Sequence, residues 1–121
     1  MTETHGGPLH CVFCGIAAGT VPADVVYRDY DVLAFRDIHP QAAVHCLIIP
    51  TQHIVSLNEL ESLRPGVGER LLQVAVMVAR EQGITESGYR LTTNVGRDAG
   101  QSVNHLHFHL LGGNRLRLAL G

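Results

Sequence analysis

A chain of 121 residues with 45% hydrophobic and 17% charged residues has the size and balance of one globular domain rather than a disordered or repeat protein. Its net charge of −2, with histidines counted neutral, gives no basic footprint for nucleic acid, so a phosphate-bearing ligand must be held by local groups. No apolar stretch approaches the roughly 20 residues of a membrane span, and the polar, glycine-containing start (residues 1–10, expected flexible) lacks a signal core, so a cytoplasmic protein without membrane or nucleic-acid partners is expected.

Residues 1–121 read as a single domain, without repeat, linker or low-complexity tract. In chain order, Cys14 to Ala18 predicts one helical turn closed by Gly19. Val25 to Arg28 and Val32 to Asp37 are β-rich runs around an Asp29-Tyr30-Asp31 hairpin signal. Val44 to Ile49 is β-branched and stops at Pro50. Ser56-Leu57-Asn58-Glu59 matches a capping box and should open a short helix. A longer helix follows, with Pro65 in its first turn, Val67, Leu71, Val74 and Val78 at helical spacing, and Gly83 as its stop. Leu72, Ala75, Val76 and Ala79 widen its apolar stripe enough to serve a second surface, a subunit contact beside the sheet. Tyr89 to Asn94 predicts a strand, Gly96 to Gly100 a loop, and Val103 to Leu111 the last strand. Five strands with hairpin-sized connections and one long helix make an α+β domain with an antiparallel sheet.

Eight histidines are present, and three fall in His105-Leu106-His107-Phe108-His109-Leu110-Leu111. On a strand, strict alternation puts the three imidazoles on one face and Leu106, Phe108 and Leu110 in the core. A single metal ion bound by all three is disfavoured, because the outer pair lies about 13 Å apart along an extended strand and zinc needs nitrogens at about 2.0–2.1 Å. Phosphate chemistry suits the row better: one neutral imidazole attacks phosphorus while a neighbour protonates the leaving group. Gly100-Gln101-Ser102 precedes the row and offers backbone N–H groups, an amide and a hydroxyl to phosphate oxygens. Cys11 and Cys14, with His45, His53 and His105 downstream, supply thiolate and imidazole types for a tetrahedral zinc; two idle buried thiols are the plain alternative. Cys46, mid-strand, reads as core.

The alternating run resembles the histidine triad signature, His-φ-His-φ-His-φ-φ with φ apolar. The likeness extends from Cys11-Val12-Phe13-Cys14 through Leu33–Ile38 and His45–Pro50 to Gly100-Gln101-Ser102-Val103 and Gly112-Gly113. Leu111-Gly112-Gly113 is similar to the Hint branch, the nucleoside phosphoramidases, in its bacterial type with Cys-x-x-Cys. The Fhit branch of dinucleoside polyphosphate hydrolases more often ends Leu-Pro-Arg there. The resemblance implies a homodimer whose two sheets join into one, and a purine nucleotide substrate cleaved through a nucleotidyl-histidine intermediate with no cofactor required for catalysis. It makes His107 the nucleophile, His109 the α-phosphate contact, His105 a support of the constellation, and Ser102 with the Gly100, Gln101 and Ser102 backbone the phosphate and leaving-group site. Asp37 would accept from the ribose hydroxyls, Ile38 would face the base, Asn94 would lie on the phosphate side, and His45 would stand behind the triad. It also implies a structural zinc on Cys11, Cys14, His53 and His105, which would make His105 a ligand. Three departures stand out: Arg115–Gly121 lacks the tryptophan and prolines of the animal tail, Asn104 replaces an aromatic, and Thr51-Gln52 replaces a basic pair. Hydrolysis of dinucleoside polyphosphates, a nucleotide-binding scaffold with incidental catalysis, and a metal-dependent hydrolase are the competing functions.

Overall fold

The computed structural model describes residues 10–117; the flexibility expected of the first ten residues falls, apart from His10, outside that range. Helix α1 (Val12–Ala18) is longer at its start than the sequence suggests, because the Cys11 thiol caps it by accepting from the Cys14 N–H at 3.3 Å. Gly19 ends it at φ 83°, in the left-handed region that favours glycine. Strands β1 (Val25–Arg28), β2 (Val32–Arg36) and β3 (Val44–Pro50) follow, then a 3-10 turn at Leu57–Ser62. Ser56 caps that turn by accepting from the Asn58 N–H, while the Glu59 carboxylate reaches back to the Val55 N–H. The long helix α2 (Val67–Glu81) starts two residues after Pro65, which sits in the preceding turn. Strands β4 (Tyr89–Thr92) and β5 (Phe108–Gly112) complete one antiparallel sheet in the order β1-β2-β3-β5-β4.

Two-residue alternation divides the sheet between two layers. Val32 and Ala34 of β2, Cys46 and Ile48 of β3 and Leu110 of β5 pack with α2 residues Leu71, Val74, Ala75 and Val78. Their neighbours Leu33, Phe35, Leu47 and Ile49 pack with Phe13 and Ile16 of α1. Both faces are covered, which is why β2 and β3 read as unbroken apolar runs. Phe35 pairs with Leu47 and Leu47 with His109, so His109 emerges on the α1 face of the sheet. His45, two residues before Leu47, shares that face.

One expectation is corrected. The last strand begins at Phe108, not Val103, so only His109 of the three triad histidines lies within β5. The Leu106 N–H bonds to the Ile54 carbonyl and the Thr93 hydroxyl to the His107 carbonyl, which takes the 105–107 segment out of the sheet ladder. On α2, Ala75 and Ala79 are buried, but Leu72 and Val76 are 50% and 43% exposed, so the widened stripe is not all spent on the sheet. Gly112 is required by packing: a Cβ there would meet Ile84 Cδ1 at 2.9 Å and the Gly88 carbonyl at 3.2 Å.

Candidate functional site

His107 is 3% exposed, and its Nδ1 lies 2.7 Å from its own segment's His105 carbonyl. A carbonyl only accepts, so Nδ1 carries the proton and the lone pair is left on Nε2. Phe13 meets the His107 ring edge-on at 5.2 Å, and the His109 ring stands 5.1 Å away. Burial pushes the His107 imidazole below its ordinary value of 6.5, opposed by the bond to His105 and the charge of Asp37. It is therefore a neutral imidazole near neutral pH, with a free nitrogen.

The tautomer of His109 is set from further back. The Gln41 N–H donates to His45 Nδ1 at 3.0 Å, so His45 carries its proton on Nε2. That nitrogen lies 2.9 Å from His109 Nδ1 and 3.4 Å from Asp37 Oδ2. His109 Nδ1 accepts, and its proton is held on Nε2, where it can be donated. Burial and the neighbouring His107 and His45 push His109 down to about 4, and burial lowers His45 as well. A single backbone N–H thus orients a relay whose last member is a neutral donor.

His107, His109, Asp37, Ile38 and Ser102 line one apolar cavity of about 310 Å³, walled by Phe13, Ile16, Val21, Phe35, Leu47 and Val103. Ile38, 82% exposed, forms an apolar rim at its mouth. Asn94, Gly100 and Ser102 line a second cavity that shares only Ser102 and His109 with the first. The cradle expected of Gly100, Gln101 and Ser102 is narrower than the sequence suggests. The N–H groups of Gly100 and Gln101 donate to the Arg97 and Gly96 carbonyls, and the Gln101 amide bonds to Val55, Val103 and Gly96. Gln101 therefore ties the loop, and Ser102 is its remaining unengaged member among the described residues.

His105 does not line the apolar cavity. It is fully buried and directs Nε2–H to the Pro50 carbonyl at 2.8 Å. Its Nδ1 lone pair then faces Cys11 Sγ at 3.3 Å and Cys14 Sγ at 3.5 Å, and His53 Nδ1 lies 3.2 Å from Cys14 Sγ. All four ligand atoms fall within 4.8 Å of one another. A tetrahedral zinc with bonds of about 2.3 Å to sulfur and about 2.0 Å to nitrogen spaces sulfur and nitrogen about 3.5 Å apart, so the donor set fits. With a metal bound, the bond to Pro50 would be the outer-sphere contact that fixes the His105 imidazole. Without metal, burial and the Cys11 thiol push Cys14 up to about 12, so a bound cation must displace its proton. With His105 committed here and His107 facing the cavity, the triad does not converge on one ion. Cys46 is fully buried in the core, as expected.

Several residues at the site carry no sequence signal of their own. Gln41 acts through its main chain. Phe13 lies inside the Cys11–Cys14 spacing, and its place there was the available clue.

A family model, the HIT domain, matches residues 18–116. The purine nucleoside phosphoramidase of Escherichia coli (strain K12) is 45% identical over 105 residues, covering 87% of this chain and 88% of the relative. A histidine triad protein from Clostridium difficile superimposes with a TM-score of 0.87 at 36% identity, covering 99% of this chain and 100% of that one. A zinc-bound histidine triad family protein from Mycobacterium smegmatis gives a TM-score of 0.77 at 32% identity, covering 93% and 83%. With the Cys11–Cys14 pair, the alternating histidines and the Gly112-Gly113 ending all present, the chain belongs to the histidine triad family, in its Hint-like branch.

Proposed function

We propose that the protein hydrolyses purine nucleoside 5′-phosphoramidates and related nucleoside monophosphate esters through a nucleotide bound covalently to His107. The observation that carries this reading is the His107 Nδ1 to His105 carbonyl bond, which leaves the Nε2 lone pair free beside the apolar cavity. The nucleoside occupies that cavity, with its base among Phe13, Phe35, Leu47 and Ile38 and its ribose hydroxyls on Asp37. His107 Nε2 attacks phosphorus, a P–Nε2 bond forms, and the P–N bond to the leaving amine breaks. His109 Nε2–H or the Ser102 hydroxyl protonates the departing amine. Water then attacks the adduct and gives a proton back to the group that donated one, His109 Nε2 or the Ser102 oxygen, releasing the nucleoside monophosphate and returning both side chains to their starting forms. The similarity to a purine nucleoside phosphoramidase supports the substrate class.

Two further features belong to this reading. Cys11, Cys14, His53 and His105 hold a structural zinc, which supplies a cross-link between α1 and the 105–107 segment and takes no part in the chemistry. The exposed Leu72 and Val76 of α2 pack against a second copy of the chain in a symmetric homodimer.

The test is His107→Ala. Turnover of adenosine 5′-phosphoramidate should fall by about 10⁴-fold or more, as for loss of a nucleophile that acts within a unit. AMP affinity should stay within about threefold, since Asp37 and the apolar walls remain. A nucleotidyl adduct trapped on the parent protein should map to His107 by mass spectrometry. Near-parental turnover of the variant, or an adduct elsewhere, sinks the assignment.

A further inference from the structure

The cavity on the far side of His109 differs in character from the one that takes the nucleoside. It is larger, about 830 Å³, and three arginines line it: Arg90, Arg115 and Arg117. No carboxylate side chain lines it among the described residues. The register explains the placement. Arg90 of β4 pairs with Leu111 and Thr92 with His109, so Arg90 stands on the same face of the sheet as the imidazole relay. Its guanidinium donates to the Arg117 main-chain carbonyl, which ties the tail beside β4. Arg115 and Arg117 have exposed side chains, and no ion pair joins any of the three to an acidic side chain among the described residues.

Three cations lining one cavity with no acidic partner among the described residues repel one another, and an anion among them relieves that cost. Guanidinium forks match carboxylate and phosphate oxygens in pairs. Where the anion comes from follows from the reaction. Only Ser102 and His109 belong to both cavities, so the phosphorus sits at that boundary. His107 lines the nucleoside cavity alone and attacks from its side. In-line displacement expels the leaving group in the opposite direction, into the cavity of the arginines.

We infer that Arg90, Arg115 and Arg117 form a leaving-group subsite that selects substrates whose leaving group carries its own negative charge, as carboxylate or phosphate. This inference rests on the phosphoramidase reading for the direction of departure but not for the existence of the anion subsite.

The test compares adenosine 5′-phosphoramidate of aspartate with its uncharged dimethyl ester, as a ratio of kcat/KM, in the parent protein and in Arg115→Gln/Arg117→Gln. Both positions are exposed, so folding is not at stake; Arg90→Gln is made separately because it also releases the tail. The parent should favour the charged substrate by tenfold or more, and the double variant should bring the ratio within about twofold of unity, the order expected for losing two charge-assisted contacts. In parallel, calorimetry gives the ADP-to-AMP affinity ratio for both proteins. A response of the aspartate ratio alone assigns the subsite to carboxylates, and a response of the ADP ratio alone assigns it to phosphates. If neither ratio moves, the subsite does not exist. If neither amidate is hydrolysed, the phosphoramidase reading falls, and the ADP-to-AMP ratio still decides the subsite.

Discussion

Replacing His45 by Ala tests the relay that orients His109. In the parent protein the Gln41 N–H fixes His45, and His45 Nε2–H donates to His109 Nδ1 at 2.9 Å. The substitution frees His109 to carry its proton on either nitrogen, and the phosphate-side donor is then present only part of the time. The neutral bond lost from the resting site is worth about 0.5–1.5 kcal/mol, and about 1.5–3 kcal/mol when its partner bears charge. In the transition state His109 faces developing negative charge on the phosphoryl and leaving group. The difference, about 1–2 kcal/mol, is felt there and not in the ground state, so kcat should fall about 5- to 30-fold with KM within about twofold. His45→Gln keeps a side-chain donor for His109 and should restore part of the loss, which mere damage to packing would not predict. Steady-state hydrolysis of adenosine 5′-phosphoramidate by the two variants reads this directly. Unchanged kcat in His45→Ala, or a loss as deep as that of His107→Ala, would refute the relay: the first makes it idle, the second makes His45 a reacting group.

The zinc site predicts about one zinc per chain in protein never exposed to chelator, with Cys14→Ser losing most of it and melting several degrees lower; metal analysis finding none in the parent returns Cys11 and Cys14 to idle thiols. Because burial holds His107 below its ordinary value of 6.5 and only its neutral form attacks, kcat/KM should reach a plateau at alkaline pH and be lost as pH falls, with an acid midpoint below 6.5; a midpoint above 6.5 contradicts the burial argument. In metal-free protein His105 and His109 sit at about 4 when folded, so between pH 6.5 and 4 the unfolded chain binds more protons and stability drops as pH falls, readable as a declining urea midpoint. Leu72→Glu/Val76→Glu should give a monomeric mass by light scattering at micromolar concentration, and a monomeric parent would remove the dimer.

What the sequence disclosed follows from periodicity, and what it concealed lies in contacts that periodicity does not encode. The spacing of Val67, Leu71, Val74 and Val78 located α2, and the β-branched run at Val44–Ile49 located β3, because each is dictated by the surface it buries. The alternation around His105 to His109 was also visible, yet it overstated the strand. Alternation reports side-chain direction, whereas a strand requires a ladder partner, and the Leu106 N–H and His107 carbonyl find theirs in Ile54 and Thr93. Gln41 was illegible because its contribution is a main-chain N–H that any residue but proline supplies. Gln101 misled for the opposite reason: a polar side chain beside a histidine row suggests a ligand contact, but its amide ties the loop to itself and to the Val55 carbonyl. Arg90 and Arg115 stand 25 positions apart, and only the β4–β5 register brings them to one cavity.

The hydrogen bonds of the 105–107 segment explain why three histidines are present when two face the apolar cavity. His107 must present an unprotonated Nε2, and the simplest fixed acceptor for its Nδ1–H is the carbonyl two residues back. That carbonyl serves only if residue 105 cannot move, and an imidazole clamped at both nitrogens meets the requirement: Pro50 takes one, and the Cys11–Cys14 thiols face the other. A lone aliphatic side chain at 105 would fill the volume without fixing rotation of the peptide. The thiols in turn sit at the start of α1, whose Phe13 walls the cavity against His107. The cysteine and histidine motifs are therefore one device, in which a cluster outside the cavity holds still the peptide that chooses the tautomer of His107.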